Sequence, residues 1–468
     1  MSMPIQGPNS TPGLQTSLGL LRVLDGIKTI DWRAKARRAN SLPKRVFATL
    51  VEQALFAGTN FLLTALMVRW MPIEQFGAYS FAFSVYLLAC VVFESFVADP
   101  ITIIGAAKYT DEMEAYTGVV LTAHGIGGVV VSLFCLLIWA VLTHVFFSPL
   151  LANAMLGLAV AAPVLLLRST TQQLCNAHGF NGIFAVAGIA YAVLAPLFLF
   201  LLHLIDALNS ASAFAASAGG MAVPCFFLIG NVLYPKESRV DIRSTVFRVA
   251  RDHFDYGRWA SLAQFVQWLG SNFWYLIGPT LMGLDAIAGI RGLNNVAMPI
   301  FMAQGAILWA FAPKLARYSY SSNEAEYRRL FVLLLGCFGA LNFAYVTAFI
   351  CYGVEAIHML YQGKFDEFVT IPVVILLAIT PSLSAINNVV ELHLRVNGEI
   401  KWILASKLGW LVSTVTIGVG ACILFGFLGV FLGTVISTIF LILANLWLSR
   451  IHELHQRPVV VDSEKAER

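Results

Sequence analysis

The chain carries its own plan twice. Asn60-Phe61 followed by Phe76-Gly77 recurs as Asn272-Phe273 followed by Ala288-Gly289, so the asparagines (60 and 272) and the glycines (77 and 289) both stand 212 positions apart. That offset is nearly half the length, and each half reads as six long apolar stretches. Duplication of an even-numbered module keeps the two copies in the same orientation. The chain is therefore constrained to two parallel six-helix units related by a pseudo-two-fold axis along the membrane normal.

Composition agrees, because 58% hydrophobic residues, 12% charged residues and a mean hydropathy of +0.76 lie outside the soluble range. Twelve stretches, from Val46–Trp70 and Gly77–Ala98 through Trp259–Leu281 and Gly289–Phe311 to Phe427–Leu448, are each long enough for a helix of roughly 20 residues. The expected fold is an all-α polytopic membrane protein with about twelve transmembrane helices in two parallel six-helix lobes around a central cavity. The expected boundaries are a basic N-terminal segment (1–45), an N-lobe (46–233), a linker (234–257), a C-lobe (258–450) and a tail (451–468).

Lys and Arg alternate between the connecting segments. All but Arg69, Arg291 and Lys364 of the chain's 30 fall on the side that holds the N-terminus. By the positive-inside rule both termini are expected in the cytoplasm. The first 45 residues lack an apolar core beside a small-residue cleavage site, so no removable leader is expected. Within them, Leu18 to Arg38 reads either as a basic amphipathic helix on anionic lipid or as a basic tail that fixes topology.

Catalysis has little support. The seven cysteines show no C-x-x-C spacing, and the nine histidines are scattered without metal-ligand spacing. No phosphate loop or Ser/His/Asp grouping stands out, and the connections leave no room for a soluble catalytic domain. The chain is not expected to be an enzyme or to need a cofactor, a metal or a nucleic-acid partner. Its substrate is expected between the repeats.

Several segments resemble one known family. Asn60 to Thr64 with Met71 to Tyr79 has that family's pattern of helix, short Phe/Tyr-Gly turn and helix. Gln172 to Gly179 and Leu392 to Gly398 resemble the turn after the fourth helix of each half, and Gly429 to Thr434 resembles the opening of the last helix. The family is the Wzx-type polysaccharide flippases of the multidrug/oligosaccharidyl-lipid/polysaccharide exporter superfamily. The resemblance covers most of the membrane portion and implies a V-shaped pair of lobes whose cavity opens alternately to each side. It also implies a lipid-linked oligosaccharide as substrate, with polysaccharide polymerase or export machinery as possible partners; a monomer is expected, since one chain supplies both lobes.

Polar residues inside spans point inward, because facing lipid is costly. Gln53, Ala57, Asn60 and Thr64 recur at helical spacing in the first span, and Ser261, Gln264, Gln267, Ser271 and Asn272 answer in the seventh. Asn60 and Asn272 are expected at matching depth, on the order of 20 Å into their helices, either lining the cavity or bonding helix to helix. Arg291, Asn294, Asn295 and Gln304 extend the set along the eighth span. Arg291 either meets a pyrophosphate or, like Arg69, snorkels to headgroups. Glu52 and Glu94 are carboxylates within spans one and two and are candidates for ion coupling. Glu391 and Arg395, four apart, are expected to satisfy each other locally.

The leading expectation is a flippase for a polyprenyl-pyrophosphate-linked oligosaccharide in surface or exopolysaccharide biosynthesis. An ion-coupled exporter of organic cations, a membrane glycosyltransferase or polymerase, and a non-transporting scaffold are the other readings.

Overall fold

Apolar runs in a solvent without water must close their backbone hydrogen bonds internally, and helices do so within one segment. The computed structural model describes residues 42–233, 242–320, 323–396 and 400–456, and these are helical with short connections. The N-lobe holds α1 (Leu42–Trp70), α2 (Ile73–Lys108), α3 (Met113–His144), α4 (Pro149–His178), α5 (Asn181–Leu204) and α6 (Ser210–Leu233). The C-lobe holds α7 (Ile242–Leu281), α8 (Leu284–Val296), α9 (Met298–Tyr320), α10 (Glu324–Tyr361), α11 (Ile371–Val396), α12 (Ile400–Phe425) and α13 (Phe427–Gln456). The start of α1 and the end of α13 share one face of the bundle, called here the terminal face; the opposite face is the distal face. The basic stretch Leu18 to Arg38 and residues 457–468 of the tail lie outside the described residues.

Local chemistry places the ends of these helices. Gly179 takes the left-handed conformation (φ 77°) that closes α4, and the Asn209 carboxamide accepts from the amides of Ala211 and Ser212 to open α6. Within the N-lobe α1 lies on α5, and α6 lies on α4 and α5; in the C-lobe α13 lies on α11 and α12. Between the lobes, α2 packs on α7 and α8.

Ten of the described helices are long and apolar enough to cross a membrane, against twelve expected. The seventh and eighth expected spans make the difference. In α7, Gln264, Gln267, Ser271 and Asn272 dilute the apolar run. The eighth, expected as one span over Gly289–Phe311, breaks at Ala297 into α8 and α9. Pro299 lacks an amide hydrogen and clashes with the carbonyl four residues before it, so the helix stops and restarts. The expected linker is also partly helical, since residues 242–257 are the opening turns of α7.

Candidate functional site

A cavity of about 760 Å³ lies between the lobes, within the range of small-molecule sites. Asn60 and Thr64 from α1, Glu94 from α2, Gln264, Gln267, Ser271 and Asn272 from α7, and Arg291 and Asn295 from α8 line it. The two repeat asparagines behave alike. Asn60 Nδ2 donates to the Phe56 carbonyl at 2.9 Å and Asn272 Nδ2 to the Trp268 carbonyl at 3.1 Å, each four residues back. Asn60 also accepts from the Tyr191 hydroxyl at 3.2 Å, so its carboxamide both faces the cavity and ties α1 to α5.

Four expected residues lie elsewhere. Gln53 is exposed and outside the cavity lining. Asn294 is also exposed, its carboxamide 3.2 Å from the Tyr275 hydroxyl. Gln304 is buried in the C-lobe and donates to Asn342 Oδ1 and the Pro381 carbonyl. Glu52 is 2% exposed and held inside the N-lobe, 2.6 Å from Arg168 and 2.8 Å from Gln172 Nε2. Buried and doubly bonded to a cation and an amide, Glu52 neutralises Arg168, whose guanidinium also lies 3.4 Å over the Phe56 ring.

Glu94 remains on the cavity wall, 3.4 Å from the Ser169 hydroxyl. One turn on, Asp99 accepts from Gln264 of α7 at 3.5 Å. Sequence reading missed Asp99; its only signal there is a charge inside an apolar stretch, as for Glu94.

The charges are unevenly distributed. Arg168, Arg291, Arg395 and Lys407 line the cavity against one lining carboxylate, Glu94. Arg291 lies 4.2 Å over the Phe83 ring and 5.8 Å over that of Tyr275, and no described carboxylate is within ion-pair distance of it. The headgroup reading of Arg291 is therefore replaced by a cation in the cavity wall. Arg69 does not snorkel either, since it donates to the carbonyls of Leu360 and Met359 at 2.7 Å each. Lys407 was invisible to sequence reading as a cavity residue, because it sits at the membrane edge and only the packing of α12 on α11 turns it inward. Among the described residues, no cluster of three or more His, Cys, Asp or Glu side chains is arranged to hold a metal ion.

No protein-family model and no curated protein sequence matches the chain. Its fold does match solved structures. A multidrug resistance transporter of the MATE family in the MOP superfamily, inward-facing, aligns with a TM-score of 0.67 at 17% identity, over 87% of this chain and 96% of that one. An outward-facing transporter of the same description aligns with a TM-score of 0.60 at 15% identity, over 96% and 100%. A MOP superfamily transporter from Pyrococcus furiosus, described as having a binding pocket of reverse polarity, aligns with a TM-score of 0.57 at 15% identity, over 96% and 100%. The two-lobe fold of these transporters is thus the fold of this multi-pass membrane protein.

Proposed function

We propose that the protein is an alternating-access flippase that passes a polyprenyl-pyrophosphate-linked oligosaccharide across a bacterial inner membrane, with its terminal face in the cytoplasm. The observation that supports this reading best is Arg291, a cation in the cavity wall backed by aromatic rings rather than by a carboxylate. A cation so placed keeps its donors available for an incoming anion, and a guanidinium can grip phosphate oxygens in pairs. Carboxamides and hydroxyls from α1 and α7 supply hydrogen bonds suited to sugar hydroxyls. The headgroup would cross in this polar cavity while the polyprenyl tail stays in lipid.

The test compares the amount and sidedness of lipid-linked oligosaccharide in membranes lacking the protein with membranes carrying it. Intermediate trapped on the cytoplasmic leaflet is the expected result; unchanged sidedness and intact surface polysaccharide would overturn the reading. In the same assay Arg291→Met is expected to lower flux at least about ten-fold, with Arg291→Lys intermediate, since one charge-assisted contact is worth about 1.5–3 kcal/mol.

Glu94 gives the second reading its footing, because a cavity carboxylate suits an exporter of organic cations. Drug efflux that Glu94→Gln abolishes, with normal lipid-linked sugar sidedness, would favour that exporter.

A further inference from the structure

Glu391 and Arg395 form the local pair expected of residues four apart, but the fold adds a third member. Lys407, two turns into α12, reaches the same carboxylate. The Glu391 side chain is only 8% exposed, and a single oxygen, Oε1, receives both Arg395 Nη2 at 2.5 Å and Lys407 Nζ at 2.9 Å. The sum of those contacts caps the separation of the two nitrogens at about 5.4 Å. One carboxylate cannot neutralise two cations, so the group keeps a net positive charge. Both cations line the cavity and Glu391 does not, so the positive side of the group is the side the cavity meets. The Arg395 side chain is 60% exposed, which leaves guanidinium donors facing open space.

Two cations this close can each donate to a different oxygen of one phosphate group. Their place in the cavity sets them apart from Arg291. Arg395 closes α11 at the terminal face, whereas Arg291 lies two turns into α8 from the distal face. At about 1.5 Å per residue the two depths differ by roughly 25 Å, farther than one diphosphate can bridge.

We propose that Arg395 and Lys407, gathered by Glu391, form a capture site for a phosphate or diphosphate group at the terminal mouth of the cavity, separate from Arg291. This rests on the reading of the cavity as a route for a phosphate-bearing substrate. Capture at the mouth raises occupancy before the headgroup moves inward, so its loss weakens uptake most when substrate is scarce.

The experiment measures binding of inorganic pyrophosphate, farnesyl diphosphate and farnesol to the full chain in nanodiscs of zwitterionic lipid. It is run on the wild type and on the Arg291→Met background, which isolates the mouth. Adding Lys407→Met to that background is expected to weaken diphosphate binding about ten-fold, adding Lys407→Arg to leave it near the background level, and farnesol binding to be unaffected. Tighter binding of farnesyl diphosphate than of pyrophosphate would identify a lipid headgroup as the ligand; equal binding would identify the free anion, and either supports the site.

A fold effect is separated by Glu391→Gln with Lys407→Met, which leaves no carboxylate short of its lysine. Persisting weakness supports the site, and recovered binding overturns it. Wild-type diphosphate binding that neither Lys407→Met nor Arg395→Gln lowers also overturns the capture site while sparing the proposed function. No diphosphate binding by the wild type at all would sink both.

Discussion

A methyl group on Gly77 would lie 2.1 Å from the carbonyl oxygen of Leu284, far inside contact distance. The second turn of α2 and the first residue of α8 meet there backbone to backbone, and no side chain larger than hydrogen fits between them. Gly77→Ala is expected to force the distal ends of the lobes apart and to cost about 1–3 kcal/mol of stability. Thermal unfolding of the purified variant checks this; an unchanged midpoint would mean that the seam yields without cost. The repeat marked this glycine in the sequence, because an element kept in both halves points to a shared structural demand. It did not show that Gly77 meets the other lobe while Gly289 meets Phe368 and Phe427 within its own. The same limit applies to charges. Asn60 and Asn272 were legible as a pair from the repeat offset, and both line the cavity with a carboxamide bonded to the carbonyl four residues back. The burial of Glu52 on Arg168 and the third partner of Glu391 depend on helices 116 and 16 residues away in sequence, and local spacing carries no trace of them.

At the scale of elements, α7 departs most from the expected division. Its opening turns were read as a linker, yet they pack on the N-lobe. Gly257 lets the Phe96 ring against the α7 backbone, and Asp252 accepts from both Lys108 and Tyr109 at 2.6 and 2.7 Å. Arg248 pairs with Glu112 beside them. His253, 7% exposed, bridges the Tyr116 hydroxyl and the Phe96 carbonyl at 2.8 and 2.9 Å. Farther along, Gly270 and Trp274 meet Trp410 and Gly418 of α12. One helix is thus anchored in both lobes, which a hydropathy pattern cannot distinguish from a helix belonging to one. Burial pushes the His253 imidazole below its ordinary pKa, and the Phe96 carbonyl and Asp252 offset this only in part. Burial raises the Asp252 carboxyl, but the Lys108 and Tyr109 hydrogen bonds outweigh it and hold Asp252 below the usual range, so it stays ionised near neutrality. The undocked histidine therefore binds more protons than the docked one below about pH 6.5, and docking weakens as pH falls through that value. The slope is at most about 1.4 kcal/mol per pH unit. Hydrogen exchange of residues 242–258 is expected to speed up, beyond its intrinsic pH dependence, between pH 7.5 and 5.5. A His253→Gln variant should lose that excess, and an equal excess in the variant would assign it to another group.

For the whole molecule, the distal seal is a reciprocal exchange between lobes. Arg69, at the end of α1, donates to the last carbonyls of α10, while Lys364, just beyond α10, donates to the carbonyls of Arg69 and Met71 at 3.0 and 2.7 Å. Helix C-termini expose unpaired carbonyls and a partial negative charge, so each lobe here places a cation on the other lobe's helix end. Asn295 adds a bond to the Phe61 carbonyl at 3.3 Å. These three basic positions, Arg69, Arg291 and Lys364, were the ones that the charge count left on the distal side. The count was legible from sequence, whereas their use as latch and cavity wall required the two lobes to be brought together. In the proposed alternating-access cycle, opening the distal face breaks all four cationic contacts, so removing them should favour the distal-open arrangement. Arg69→Gln with Lys364→Gln is expected to shift that equilibrium by on the order of ten-fold, the equivalent of about 1.4 kcal/mol. Spin labels placed across the distal ends of α1 and α10 would report it as growth of the longer-distance population. An unchanged distance distribution would place the closing energy in the Gly77–Leu284 contact and the apolar packing around it instead.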